Sequence, residues 1–535
     1  MLSYRKLAMR VLGRPLHTEG IDSPRPASQR AAAFILTAAM LTTLAAPAFA
    51  DIWHIENGDI TISAGESGNN VTQNNNTTYG DTNTIITNQN KDTASSHTVT
   101  IEAKDKDDKV EVTLKDVNID TSSRNKAAVS VTGEGDTNIK LDGDNALKSD
   151  IYRSGIYGSG SLTISGGEND SLTAQGGSGA NGISSSGSLT ISGGTVTANG
   201  DDGGRGISSS GSVTISGGST VTANGGSGTI SGGDGIWSGG GVTISGGSTV
   251  TANGGNGGSL VGGDGIRSGG GLTVSDGTVT AKGGNGDSKD GYGGDGIRSG
   301  GVVTISGNTV NAAGGYGGKV GGYGICSFDR VAISGGTVEA AGGNGSTGGG
   351  SGIYSSVIDL SGSLELTAKA GSPNGKALSQ KGSELVLDTI KDKLGPGAKV
   401  TATDADGKVI DQVSTPRPVE PEESSSSSDG GSAAPSAPAF SLPGLTVTDK
   451  DGQRISYTST QSGNTLTVCV GRLTASFRIS LAALRQLRAE GIETITFQTI
   501  LCSTTLSVDE LLAMGGEDAE AVLTHRFTDS SLTVG

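Results

Sequence analysis

The feature that most constrains this chain is a phrase of about 28 residues that recurs eight times between residues 154 and 370. Its fullest copies read GGDGIWSGGGVTISGGSTVTANGG (232–255) and GGDGIRSGGGLTVSDGTVTAKGG (262–284). Aligned on the Ile that follows a Gly, the copies begin at Ile156, Ile183, Ile207, Ile236, Ile266, Ile297, Ile325 and Ile353, in steps of 24 to 31 residues. In seven copies the next strand centre follows eight residues later, at Ile164, Ile191, Ile215, Ile244, Val274, Ile305 and Ile333. All variation in length falls in the Gly-rich segments. Fixed strand spacing with variable connections is the signature of a solenoid, because strands must stay in register from coil to coil.

Each copy reads as three short strands: Gly-Ile-x-Ser, Leu/Val-Thr-Ile and Thr-Val-Thr-Ala. Alternation sends Val242, Ile244, Val250 and Ala252 to one side and Thr243, Thr249 and Thr251 to the other. Strands this short bury no face alone. Stacking coils about 4.8 Å apart pairs every backbone group and builds a narrow core of Ile on Ile and Val on Val. The chain holds 93 Gly but only 18 aromatic residues, which excludes an ordinary compact enzyme core. Gly-Gly corners are expected to supply the positive φ that tight bends require. The fold class that follows is all-β, a parallel β-helix of three faces.

Segments 97–103, 109–120, 127–133 and 137–143 alternate similarly with less Gly, so 51–153 reads as a cap with opening coils ahead of the repeats at 154–372. Residues 373–415 read as the closing coil and cap, needed to shield the end of the stack from edge pairing. Pro, Ser and Glu dominate 416–443, a solvated linker. The remaining 444–535 reads as a small α+β module. Ser480 is placed to cap a helix through LAALRQLRAEG that stops at Gly491, ETITFQTI follows as a strand, and Ser507-Val508-Asp509-Glu510 forms a capping box.

Residues 31–50 are an apolar run behind Arg25 and Arg30 that ends in Ala48-Phe49-Ala50, the pattern of a cleaved secretory signal over residues 1–50; a membrane anchor is the alternative. The chain beyond it holds 32 Lys and Arg against 52 Asp and Glu, a net charge of −20, which argues against a nucleic-acid partner. Without that run, nothing points to a protein integral to the membrane. Three cysteines, Cys326, Cys469 and Cys502, are too few for a disulfide scaffold, and a Cys469–Cys502 bridge and free thiols both remain open.

Two columns carry the chemistry. Two residues before the aligned Ile stand Asn181, Arg205, Asp234, Asp264, Asp295 and Tyr323. Stacked carboxylates repel unless a cation or a basic neighbour intervenes, so Asp234, Asp264 and Asp295 are candidates to hold Ca²⁺. One residue after the Ile stand Tyr157, Ser184, Ser208, Trp237, Arg267, Arg298, Cys326 and Tyr354. Tyr157, Trp237 and Tyr354 suit stacking on sugar rings, and Arg267 and Arg298 suit bidentate contact with a uronate. The bland alternative pairs Asp264 and Asp295 with Arg267 and Arg298 as solvated ladders.

Catalysis has weaker support. Asp201-Asp202 has the composition of the paired acids of an inverting glycosidase, but it lies in a Gly-rich insertion, and no His occurs between residues 98 and 524. Gly343-x-Gly345-x-x-Gly348 matches a dinucleotide fingerprint, a chance event in so Gly-rich a chain.

The phrase GISSSGSLTISGGTVTANG (182–200), the stretch NNTTYGDTNTIIT (75–87) and the tail motifs SLAALRQLRAEGIETITFQT and TTLSVDELLAMGG resemble those of secreted Gly-rich β-strand-repeat proteins of anaerobic Gram-positive bacteria, some of them labelled carbohydrate-binding domain-containing proteins. The resemblance implies a right-handed parallel β-helix and an extracellular binding role, with no catalytic motif to carry over. The expectation is a secreted or cell-surface, non-catalytic solenoid that binds an extracellular polysaccharide or cell-surface glycan, with acidic polysaccharide as the favoured class. The alternatives are a structural surface protein or adhesin without sugar affinity and, third, a pectin-type lyase or hydrolase.

Overall fold

The structure is a computed structural model that describes residues 51–416 and, within 445–534, all but a few short stretches. Residues 1–50, expected to be a leader, the expected linker beyond Pro416, and Cys502 lie outside the described residues. The chain divides into two compact units.

The first unit is a β-solenoid of about 13 turns with coils of about 28 residues. Each turn lays one strand on each of three parallel faces. On the first face Ile60, Val99, Val129, Ile156, Ile183, Ile207, Ile236, Ile266, Ile297, Ile325, Ile353 and Leu378 stand in direct register. All are fully buried. Each contributes about 1.5–3 kcal/mol by leaving water, and the register is enforced because a one-residue slip would turn the whole column outward. The second face stacks Ile164, Ile191, Ile215, Ile244, Val274, Ile305 and Ile333. On the third face Val196, Val221, Val250, Val279, Val310 and Val338 stack inward while Thr197, Thr222, Thr251 and Thr280 form an outward ladder that ends at Asn311 and Glu339.

The Ser of Gly-Ile-x-Ser also points inward. Ser238, Ser268 and Ser299 are buried, and their hydroxyls donate to the carbonyls of Gly211, Gly240 and Gly270 at 2.9, 3.0 and 2.8 Å. This polar column ties each coil to the one before it, and every member is satisfied.

The glycines divide into two kinds, where the sequence suggests only one. Positive φ occurs at the Ser-Gly-Gly corners, such as Gly217 (+68°) and Gly246 (+64°). The longer Gly-rich segments between the third and first faces need glycine for a different reason. Gly233, Gly255, Gly263, Gly284 and Gly294 each donate to the carbonyl of Gly226, Gly233, Gly255, Gly263 and Gly284 in turn, at 2.8–2.9 Å. A Cβ on Gly263 would lie 1.9 Å from the carbonyl oxygen of Gly233. These segments are therefore stacked backbone on backbone rather than free outer loops, and only their tips vary.

Both ends are capped. Ile60–Gly65 pairs antiparallel with Gly68–Gln73 at one end, and Lys399–Thr403 pairs antiparallel with Val409–Ser414 at the other. Antiparallel returns cover the open strand edges.

The second unit is a small α+β module. One four-stranded antiparallel sheet comprises Leu445–Thr448, Thr474–Ser480, Glu520–Arg526 and Asp529–Val534; a second sheet comprises Thr458–Ser462, Thr465–Cys469, Thr494–Gln498 and Ser503–Ser507. Helices α1 (Leu481–Ala489) and α2 (Val508–Met514) are capped by Ser480 and Ser507, whose side chains accept from the amides of Ala483 and Glu510. Phe477 and Phe497 meet in the core at 4.9 Å. Cys469 is a free thiol, its Sγ 3.5 Å from Gln498 Oε1.

A candidate binding groove along the first face

Because strands alternate, the residue after each stacked Ile projects outward from the first face. Thr100, Ser130, Tyr157, Ser184, Ser208, Trp237, Arg267, Arg298, Cys326 and Tyr354 follow one another in register from coil to coil. Beside this file, where the glycine layer joins the first face, stand Asn181, Arg205, Asp234, Asp264, Asp295 and Tyr323. Between the two runs a groove made of two contiguous cavities. One, of about 720 Å³, is lined by Thr100, Lys126, Ser130, Arg153 and Tyr157 among others; the second, of about 640 Å³, by Arg205, Asp234, Asp264, Arg267 and Arg298. They share Gly179 and Asn181. From Thr100 to Arg298 is seven coil steps, roughly 34 Å at ~4.8 Å per step.

Tyr157, Arg267, Arg298, Asp234 and Asp264 thus meet in one groove. Trp237 and Tyr354 belong to the same file but do not line the cavities. The guanidinium of Arg205 covers the Trp237 ring at 4.4 Å, and Tyr354 stacks on Tyr323 at 4.9 Å, two coils beyond Arg298. Tyr157 is 44% exposed. The Arg267 side chain is exposed and has neither a hydrogen bond nor an ion pair among the described residues.

The three carboxylates expected to hold Ca²⁺ stand in file down the stack. Asp234, Asp264 and Asp295 do not converge: each is only 4–6% exposed and spends one oxygen on the next coil. Asp234 Oδ1 accepts from the amide of Asp264 at 2.9 Å, Asp264 Oδ1 from Asp295 at 2.7 Å, and Asp295 Oδ1 from Tyr323 at 2.7 Å. Among the described residues no group of three or more His, Cys, Asp or Glu is placed to hold a metal ion. The solvated-ladder alternative is also only half met. Arg205 pairs with Asp234 at 3.2 Å and Arg298 with Asp295 at 3.5 Å, while Asp264 in the middle has no ion pair among the described residues.

Burial, then the like charges of Asp295 and Asp234, push the Asp264 carboxyl up to about 8. Burial pushes Asp295 up to about 6 against the opposing pull of the Tyr323 amide, Arg298 and Arg267. Desolvation opposes ionisation of both Asp264 and Asp295, so these two carboxyls retain protons toward the neutral range. Cys326 is also buried, and its thiol is pushed up to about 12, chiefly by desolvation.

Asp201 ends the strand Thr195–Asp201 and Asp202 opens the exposed turn after it, where Asp201 Oδ1 accepts from the amide of Asp202 in a local bond. The Gly343–Gly348 segment belongs to the stacked glycine layer, with Gly343 donating to Gly322 at 2.8 Å. Phe328 was not singled out from the sequence; it is 55% exposed, and the guanidinium of Arg298 sits 5.3 Å from its ring centroid. The signal was available: Phe328 stands three residues after its aligned Ile, where the preceding copies have Gly239, Gly269 and Gly300. Lys126 and Arg153 were missed because they precede the repeat.

No family model, no curated protein and no solved structure matches this chain. Among the described residues no helix is long and apolar enough to cross a membrane.

Proposed function

We propose that this chain is a secreted, non-catalytic β-solenoid that binds an extracellular glycan along the first-face groove, with acidic polysaccharide as the preferred class. The observation that carries the reading is the single file of hydroxyl, aromatic and cationic side chains beside a groove about seven coils long. Tyr157 offers a face to a sugar ring, the Ser and Thr hydroxyls suit sugar hydroxyls, and Arg267 and Arg298 suit carboxylates. The leader at 1–50 and the resemblance to secreted Gly-rich repeat proteins support export. The non-catalytic reading draws on a groove whose carboxylates are engaged by backbone amides and whose lining contains no His.

A structural or adhesive role is the second reading. It is favoured by apolar side chains exposed on the tips of the glycine layer, Ile230, Leu260, Val261, Tyr292 and Tyr316. Polysaccharide arrays probed with the chain lacking its leader separate the two: binding that is lost in Tyr157→Ala supports the groove, and no binding to any polysaccharide overturns it. Release of reducing or unsaturated ends from polygalacturonate would instead promote an enzyme.

A further inference from the structure

Within the groove the two cavities differ in kind. The one around Tyr157 is lined largely by hydroxyls and amides, with Lys126 tied to Asp59 at 2.9 Å and Arg153 bonded to Asn125 at 3.3 Å. The one around Asp264 gathers three guanidiniums over a floor of buried carboxyls. Of these cations Arg205 is held by Asp234 and by the Trp237 ring, Arg298 rests against Asp295 and Phe328, and Arg267 alone is exposed without an ion pair.

We propose that the Asp264 end of the groove is a proton-gated subsite for a uronate carboxylate of the bound glycan, gripped by Arg267 and Arg298. The proposal rests on the glycan-binding reading above and adds to it a location, a ligand chemistry and a pH dependence.

The gate follows from the charge count. The groups that face Asp264 are Asp234 and Asp295 from the neighbouring coils, the guanidiniums of Arg205, Arg267 and Arg298, and Tyr323 and Cys326 beyond Asp295. The covering glycine layer lines the cavity with Ser231, Val261 and glycines, and so adds no charge. When Asp264 and Asp295 carry protons, Arg267 and Arg298 face the groove uncompensated, and an anion is drawn in. When both carboxyls ionise, two negative charges arise next to those guanidiniums, one on Asp264 in the cavity lining and one on Asp295 3.5 Å from Arg298, and compete with the ligand. Ordinary surface carboxylates would make this change near pH 4. Buried as they are, these two make it across the neutral range. Asp295 Oδ2 is buried without a hydrogen bond, although 3.5 Å from Arg298, which marks it as an acceptor that a proton on the stack can serve.

The test measures binding of polygalacturonate and of neutral dextran to the wild type, Asp264→Asn and Arg267→Gln from pH 5.5 to 8.5, with far-ultraviolet spectra confirming that each variant is folded. Asn keeps the Oδ1 acceptor for the Asp295 amide and removes the titration. The expected result is that wild-type affinity for polygalacturonate falls about tenfold with rising pH, the worth of one charge interaction of about 1.4 kcal/mol. Asp264→Asn should show a markedly flatter profile, and Arg267→Gln should lose the polyanion at every pH. An unaltered pH profile in Asp264→Asn, or polygalacturonate binding indifferent to Arg267→Gln, overturns the subsite while leaving the groove reading intact. A wild type that binds neither polymer overturns both.

Discussion

At the scale of single residues, the unusual chemistry of this protein is the burial of three carboxyls in file. A carboxyl whose pKa is raised in the folded state stabilises the fold least at high pH, because unfolding releases a proton that the native state holds. Stability is therefore expected to decline as pH rises from about 4, where an unfolded Asp ionises, through the raised value of about 8 at Asp264. Asp264→Asn should abolish part of that decline and raise stability at pH 8.5 by about 1–3 kcal/mol, read from denaturant midpoints; a variant less stable than wild type at that pH contradicts the account. Glycine is the second matter at this scale. Gly263→Ala places a methyl 1.9 Å from a carbonyl oxygen of the preceding coil, so a loss of about 3 kcal/mol or more is expected in spite of an ordinary backbone conformation. Gly407→Ala, with nothing within 4 Å but φ at +84°, should cost only about 1 kcal/mol. Melting the two variants side by side tests whether close approach or backbone freedom dominates the demand for glycine.

At the scale of elements, the opening turns are fastened by side chains rather than by repetition. Asp59 accepts from Arg124, Lys126, His97 and the amide of Thr98. Burial alone would raise its pKa, but these hydrogen bonds outweigh burial and hold it well below the ordinary carboxylate range. A depressed carboxyl contributes stability above the unfolded pKa and loses it as pH falls through the folded one. Since Asp59 is 35% exposed, Asp59→Asn is expected to cost only about 1 kcal/mol at pH 7, localised as faster amide exchange in Ile60–Gly65 and Val99–Glu102. Exchange unchanged in both strands would show that the cluster is ornamental. The repeats themselves were legible as elements because Ile-x-Ser, Thr-Ile and Thr-Val-Thr-Ala alternate cleanly, and the helix caps at Ser480 and Ser507 were legible because a capping side chain acts on amides two or three residues away. The strands of 51–153 lack the phrase, yet Val99 and Val129 continue the Ile column, since any β-branched aliphatic fills the same place.

At the scale of the whole molecule, a groove that repeats every coil binds a repeating ligand by length. Affinity for an acidic oligosaccharide should rise with chain length and level off once the polymer spans the roughly 34 Å between Thr100 and Arg298. Calorimetry with a ladder of oligogalacturonates reads this directly; equal affinity for a disaccharide and a long oligomer would confine binding to one subsite. Removal of divalent cations with EDTA is expected to leave binding unchanged, because the carboxyls once suited to Ca²⁺ are committed to backbone amides.

The amino-acid sequence alone determined the solenoid, its period, its three faces and which residues share a column, because register in a stack of strands is a one-dimensional property and periodicity is its direct expression. It could not decide what each column does. Whether Asp264 meets solvent or lies beneath a glycine layer, whether Arg205 covers Trp237, and which guanidinium is left over depend on how neighbouring coils pack at the corners between faces. Those are distances across the chain, and only the tertiary structure sets them.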